Sequence, residues 1–327
     1  MLENHSKSSV IGDRNAPFMT HLAHKFQMAS RYYGVTHPSM PNYIASIAGD
    51  NFGIQDDNSQ NIVRLNRPNL VGQLQHRHIG WGAYMEDLPK NKLAQNGPGD
   101  QALYAKKHDP FVLFANNHTK QRMSHVRPYS RLAHDLNRTH PPQFVWITPN
   151  QCHDMHGGIY THIKGHPETP CPYGSTKDDP NDAALKHKAD RFVRHAVHTI
   201  RSSRAWTRHS AIVIVTDEND YTGNPETDGW ESAAHCCDSP YVEAKDPRLT
   251  STDANGNPVY WRGGTYGGGL VPAIIVSPQA PRHLVVGQKY NHYSLLTTIE
   301  QNWHLGLLGH AGDRRGGVYP MWRVFLG

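Results

Sequence analysis

Ala211-Ile212-Val213-Ile214-Val215-Thr216-Asp217-Glu218 is an unbroken apolar run that ends, after one threonine, in two carboxylates. A short β-branched stretch with no polar interruption reads as a strand buried on both faces, the kind found inside a parallel sheet. Ligands in open α/β sheets collect beyond the carboxyl ends of such strands, and Asp217 and Glu218 stand at that position. Two adjacent carboxylates there repel each other unless a cation or a shared proton compensates. A divalent metal is the economical solution, although an acidic surface loop would leave the same letters.

The second run of this kind is Phe144–Thr148, and it leads into Asn150-Gln151-Cys152-His153-Asp154-Met155-His156. These imidazoles, carboxylate and amide are ligand types for zinc, manganese and similar ions, but with 24 histidines in the chain one cluster carries little weight by itself. Further candidate strands are Gly82–Met85 and Val271–Ser277. Helical patterns cover Pro17–Tyr32, Pro41–Ala48, Asn69–Gln75, Tyr129–Leu136, Asn181–Ser203 and Tyr293–Trp303. The alternation predicts an α/β fold, a three-layer αβα sandwich around a mostly parallel central sheet. Gly157–Pro180 and Gly223–Gly269, rich in Gly, Pro, Asp and Asn, are expected to be long loops around a site within one domain spanning 1–327.

The 327 residues, 19% of them charged and with a formal net charge of +5, suit a folded globule with an anionic small-molecule partner. No dense run of Lys and Arg interleaved with aromatics marks a nucleic-acid track, and nucleic-acid binding is set aside. No stretch reaches the roughly 18 apolar residues that cross a bilayer, and the N-terminus lacks the regions of a signal peptide, so a soluble chain without an integral membrane segment is expected. Oligomeric state is not legible. The four cysteines lack zinc-finger spacing; a Cys152–Cys171 disulfide and free buried thiols both fit.

Thr36-His37-Pro38-Ser39-Met40-Pro41-Asn42 precedes the apolar pattern Tyr43–Ala48, which predicts a helix with Ser39 near its N-cap and Pro41 in its first turn. A capping serine is the simple account. A hydroxyl at a helix start also meets free backbone N–H groups and the positive end of the dipole, where a phosphoryl group can bind.

Seven segments then fall in a telling order: Glu3-Asn4-His5-Ser6, His37-Pro38-Ser39-Met40-Pro41-Asn42-Tyr43, Lys107-His108-Asp109-Pro110-Phe111, Pro149-Asn150 with His153-Asp154-Met155-His156, Thr216-Asp217-Glu218, Val271-Pro272, and His292-Tyr293-Ser294-Leu295-Leu296 with Thr298-Ile299-Glu300. In this order they resemble the phosphoesterase family of acid phosphatases and phosphatidylcholine-type phospholipases C, a branch of the alkaline phosphatase superfamily. The resemblance implies an alkaline-phosphatase-like fold and metal-dependent hydrolysis of a phosphate monoester through a phosphoserine on Ser39. It implies that Glu3, Asn4, Asp217 and Glu218 hold a divalent metal that also touches Ser39. Asp154, His156 and His292 match positions that either hold a second ion or contact phosphate and protonate the leaving group. Asn150, His153 and Asn42 are expected at the substrate, with His153, His156 and His292 the candidate acids; a histidine acid implies an acidic optimum.

The resemblance also implies an extracytoplasmic location. Only Met1 and Leu2 precede the Glu-Asn pair, so the first core strand is expected to be truncated. A phosphodiesterase or phospholipase C of the same family, and a non-catalytic phosphate-ester-binding relative, are the alternatives.

Overall fold

The computed structural model describes residues 1–54, 57–59, 65–93, 102–174, 179–219, 250–252, 258–260 and 267–327. In chain order the helices are α1 (Lys7–Val10), α2 (Pro17–Lys25), α3 (Ser39–Ala48), α4 (Leu70–His76), α5 (Pro110–Leu113), α6 (Lys120–Met123), α7 (Leu132–Leu136), α8 (Pro180–Arg201), α9 (His292–Asn302) and α10 (Trp322–Phe325). The strands are β1 (Gln27–Tyr33), β2 (Trp81–Met85), β3 (Val126–Pro128), β4 (Phe144–Thr148), β5 (Ile212–Val215), β6 (Thr250–Thr252), β7 (Pro258–Tyr260), β8 (Leu270–Val271), β9 (Ala273–Val276) and β10 (Leu284–Asn291).

Two sheets form the middle layer. One has the order β3-β2-β4 with both pairings parallel. The other runs β10-β1-β9-β5: β1 pairs β10 in parallel, whereas β9 is antiparallel to both β1 and β5. The predicted α/β architecture is observed, but the second sheet is mixed. The turn Ser277–Pro281 reverses the chain between β9 and β10 without a crossover helix, and β1, inserted between them parallel to β10, is therefore antiparallel to β9.

Met1 and Leu2 lie between the sheets. The Met1 amino group donates to Ile147 O at 2.8 Å, Leu2 N to Val215 O at 2.8 Å, and Asp217 N to Leu2 O at 3.0 Å. The short first element is thus a parallel bridge, Leu2 to Thr216, that leads directly into Glu3.

Period-2 alternation along the strands feeds both outer layers. From β9, Ile274 and Val276 pack with Met19, Leu22, Ala189 and Val193 of α2 and α8, while Ala273 and Ile275 pack on the other face with Met321 and Val324. In β2, Trp81, Ala83 and Met85 meet Ile44, Leu70 and Leu296, and Tyr84 turns to Leu132 and Leu136. Each buried Leu or Ile of this kind is worth about 1.5–3 kcal/mol.

The helical pattern over Pro17–Tyr32 breaks at Phe26, and Gln27–Tyr33 is a strand. Strand pairing on both sides outweighs a helix-compatible pattern there, and the Gln27 side chain is tied to Ser277 by amide contacts in both directions. The edge strand β10 carries no clear signal because its residues are half exposed, Val285 at 55%. The other expected helices and strands lie within a few residues of their bounds, whereas the short elements α1, α5, α6, α10, β3, β6 and β7 are not anticipated by the sequence. Gly157–Gly174 is an irregular loop stapled by a Cys152–Cys171 disulfide. Most of 223–269, and Cys236 and Cys237, lie outside the described residues.

Glu300 of α9 is buried, and its Oε1 accepts from Leu308 N at 3.0 Å. Burial pushes its carboxyl up to about 8. The folded state therefore holds a proton that the unfolded state has released, and stability falls as pH rises from about 4.5 to about 8. Glu300→Gln should remove that slope and gain roughly 1–3 kcal/mol near pH 8. Thermal melts of both proteins from pH 5 to 8 check this; parallel curves would exclude the assignment.

Candidate active site

Ser39 is the first residue of α3, with Pro38 at the N-cap position and no side-chain capping bond. Its hydroxyl is therefore not a helix cap. Ser39 Oγ lies 3.0 Å from Glu3 Oε2, 3.3 Å from Glu218 Oε1 and 3.4 Å from Asn4 Oδ1. One hydroxyl has one proton to give, so at most one of these three acceptors receives it. Asp217 closes the group, accepting from Asn4 N through Oδ1 at 3.1 Å.

Each member is placed by a different element. Glu3 and Asn4 follow the Leu2 bridge, with Asn4 in the left-handed region at φ 39°, a conformation that asparagine tolerates better than most residues. Asp217 and Glu218 leave β5 as the opening run predicts. Asn42, one helical turn after Ser39, accepts from Val35 N at 2.8 Å and donates to Thr36 O at 2.7 Å. It clamps the turn that delivers Ser39, and its amide also reaches Glu218 Oε2 at 3.4 Å.

Behind Glu3 lies a second set. Asp154 O accepts from Glu3 N at 2.8 Å, and Asp154 Oδ1 accepts from His156 N at 2.8 Å across Met155, whose φ is 86°. His108 sits between, with Nε2 3.2 Å from Glu3 Oε1 and Nδ1 3.4 Å from Asp154 Oδ2, stacked on Tyr43. Ligand atoms of Glu3, His108 and His156 fall within 4.8 Å of one another.

All four acids, Glu3, Asp154, Asp217 and Glu218, are buried. Burial first, then mutual repulsion, drives the Glu3 and Glu218 carboxyls far above the usual carboxylate range. Burial likewise raises Asp154, and lifts Asp217 to about 6. Among the described residues, Asp217 Oδ2 is buried without a hydrogen-bond partner, and Glu3 Oε1 and Asp154 Oδ2 face the His108 ring at 3.2 and 3.4 Å without a formed hydrogen bond. Orphaned anionic oxygens beside an imidazole are what a divalent cation satisfies. The residues present fit such an ion, with Glu3, Asn4, Asp217 and Glu218 around Ser39 and Asp154, His108 and His156 behind Glu3.

Three expected site residues make side-chain hydrogen bonds elsewhere. His292 contacts Asp217 O through Nε2 and Tyr32 Oη through Nδ1 at 3.1 Å, and burial lowers its pKa to about 4. Both contacts set the His292 ring against the Asp217 backbone. His153 is bonded to Glu86 at 3.0 Å. Asn150 accepts from Cys152 N and His153 N and donates to Asp87 and Glu168, which shapes the loop before Asp154.

His108 and Lys107 carried no assigned role in the sequence. Their one signal was Lys107-His108-Asp109-Pro110-Phe111, where Asp109 caps α5 and accepts from Phe111 N at 3.1 Å. That capping fixes the turn Lys106–His108 which presents both side chains.

The fold is the alkaline-phosphatase-like α/β fold. It is shared with a lipoteichoic acid synthase from Listeria monocytogenes (TM-score 0.52, 10% identity, 95% of this chain and 72% of that one). It is likewise shared with an inactive murine ectonucleotide pyrophosphatase/phosphodiesterase in complex with AMP (TM-score 0.52, 9% identity, 97% and 96%). At these identities the likeness concerns the fold alone. Residues 5–167 and 172–306 match the Phosphoesterase family, and the chain belongs to it.

Among similar sequences, a phosphate-repressible acid phosphatase of Penicillium chrysogenum is 25% identical over 94% of this chain. An acid phosphatase of Aspergillus fumigatus is 32% identical over 47%, and a phosphatidylinositol-3-phosphatase of Mycobacterium tuberculosis 33% over 48%. The matches span 58%, 35% and 50% of those proteins respectively.

Without a bound cation, the raised Asp217 pKa means that the folded state holds an extra proton between about 4 and 6, so stability falls as pH rises through that window. Chelated protein should lose roughly 3 kcal/mol from this group between pH 4 and 6, and adding a divalent metal should flatten the curve. Denaturant titrations with and without chelator check this; identical pH profiles would exclude a cation at the acids.

Proposed function

We propose that this chain hydrolyses phosphate monoesters, with Ser39 as nucleophile, a phosphoserine intermediate and a divalent cation required for activity. The observation that carries the reading is the position of Ser39 Oγ, at a helix N-terminus and ringed by Glu3, Asn4 and Glu218. A divalent cation bound by Glu3, Asn4, Asp217 and Glu218 supplies Lewis-acid charge at the hydroxyl and offsets the crowded carboxylates.

Ser39 Oγ attacks phosphorus in line as the bond to the leaving oxygen breaks, and Glu3 Oε2, the nearest acceptor, takes the hydroxyl proton. The leaving oxygen takes a proton from His156, whose ring stands beside His108. His156 Nδ1 is bonded to Gly157 O at 3.0 Å, and its ring stands with His108 behind Glu3, which favours it for this role over His153, tied to Glu86, and His292, tied to Asp217 and Tyr32. Water then attacks the phosphoserine and gives a proton to the deprotonated His156, the Ser39 Oγ–P bond breaks, and Oγ recovers its proton from Glu3. Asp154 and His108 brace Glu3 from behind, or together with His156 hold a second cation. The Cys152–Cys171 bridge supports work in an oxidising, extracytoplasmic compartment.

Ser39→Ala should lower kcat for an aryl phosphate monoester by at least about 10³-fold, given the non-additive weight of a nucleophile. The wild type should lose activity to chelation, regain it with metal, and turn over a phosphocholine diester far more slowly. Full turnover by Ser39→Ala would overturn the mechanism, and faster diester cleavage would overturn the substrate class.

A further inference from the structure

Beside Ser39, the acceptors so far described all await a cation; one position there is built for an anion. Met40 N, at the open start of α3, and Lys107 Nζ point to a common place, and the Asp57 carboxylate occupies it. Asp57 Oδ1 accepts from Met40 N at 2.9 Å, and Asp57 Oδ2 pairs with Lys107 Nζ at 2.8 Å. The Lys107 side chain is 6% exposed, whereas that of Asp57 is 31% exposed and approaches from the solvent side.

The Lys107 ammonium is close enough to Glu3, Asp154 and Glu218 to favour their charged forms, and the Asp57 charge in turn disfavours ionisation of Asp217 and Glu218. Asp57 therefore adds a negative charge where there is already an excess. A helix N–H one residue from the nucleophile and a buried ammonium that shares its acceptor are the donors that hold phosphoryl oxygens.

We infer that Met40 N–H and the Lys107 ammonium form the seat for two non-bridging oxygens of the substrate phosphoryl group, and that Asp57 is a built-in competitor for that seat. The inference rests on the hydrolase reading and deepens it. Two anions cannot share the seat, so substrate enters by displacing the Asp57 carboxylate. A dianionic monoester gains more from Lys107 and the helix start than a monoanionic diester does, and it bears the displacement more easily. Asp57 thereby sets a threshold that favours monoesters.

The test is equilibrium binding of inorganic phosphate to the metal-replete protein by titration calorimetry, which needs no turnover. Asp57→Asn should bind phosphate about tenfold more tightly than wild type, Lys107→Met at least about tenfold more weakly, and the double variant should resemble Lys107→Met. Unchanged or weaker binding by a folded Asp57→Asn would overturn the proposal, because Asp57 would then only position Lys107. Should Asp57→Asn not fold, undiminished phosphate binding by Lys107→Met overturns it instead, and its loss upholds the seat. A protein that hydrolyses no ester yet shows these affinities refutes the hydrolase reading and leaves the seat standing.

Discussion

Buried negative charge is the constraint around which this molecule is arranged. Glu3, Asp154, Asp217 and Glu218 are withdrawn from water around one hydroxyl, with Asp57 at the rim and Lys107 the ammonium among them. Two like charges 4 Å apart repel by about 4 kcal/mol at an effective dielectric of 20, so such a cluster is sustained only by protonation or by a cation. Much of the surrounding scaffold can be understood as holding these groups together against that repulsion. His292 braces the Asp217 carbonyl, Asn42 clamps the turn before Ser39, and Asp154 receives the Glu3 amide.

The same constraint accounts for two places where the backbone departs from regular structure. Asn4 and Met155 both have positive φ, and each lies next to a site carboxylate. Such conformations cost on the order of 1–3 kcal/mol and persist where the surroundings over-determine them. Here they turn successive polar groups toward one place, which neither a strand nor a helix could do from adjacent residues.

What was legible in the sequence was local. Ile212–Val215 read as a strand because it offers no polar face, although its first two residues are half-buried and its ladder to β9 is antiparallel, and Asp217 and Glu218 stand at its end wherever the strand goes. The place of Ser39 at a helix start was readable from the flanking Pro and Asn, whereas its role came from the family resemblance alone. What could not be read depends on partners far away in the chain. Gln27–Tyr33 is a strand only because β9 and β10 flank it. His153 and Asn150 lie in a ligand-rich motif, but Glu86 and Asp87, more than sixty positions earlier, claim their polar atoms. Asp57 has no motif at all; its significance arises from its pairing with Lys107 and Met40.

The Leu2 bridge has a consequence for how the whole layer behaves. Its amide and carbonyl fasten β5, the Met1 amino group fastens β4, and the very next residues are Glu3 and Asn4. The junction between the two sheets and the mouth of the charged cluster are therefore a single structural object. By thermodynamic reciprocity, whatever free energy an ion spends in drawing Glu3 toward Asp217 is returned as cohesion between the sheets, and any loosening of the sheets is felt as a lower affinity for the ion. Occupancy of the site and integrity of the central layer are two readings of one equilibrium.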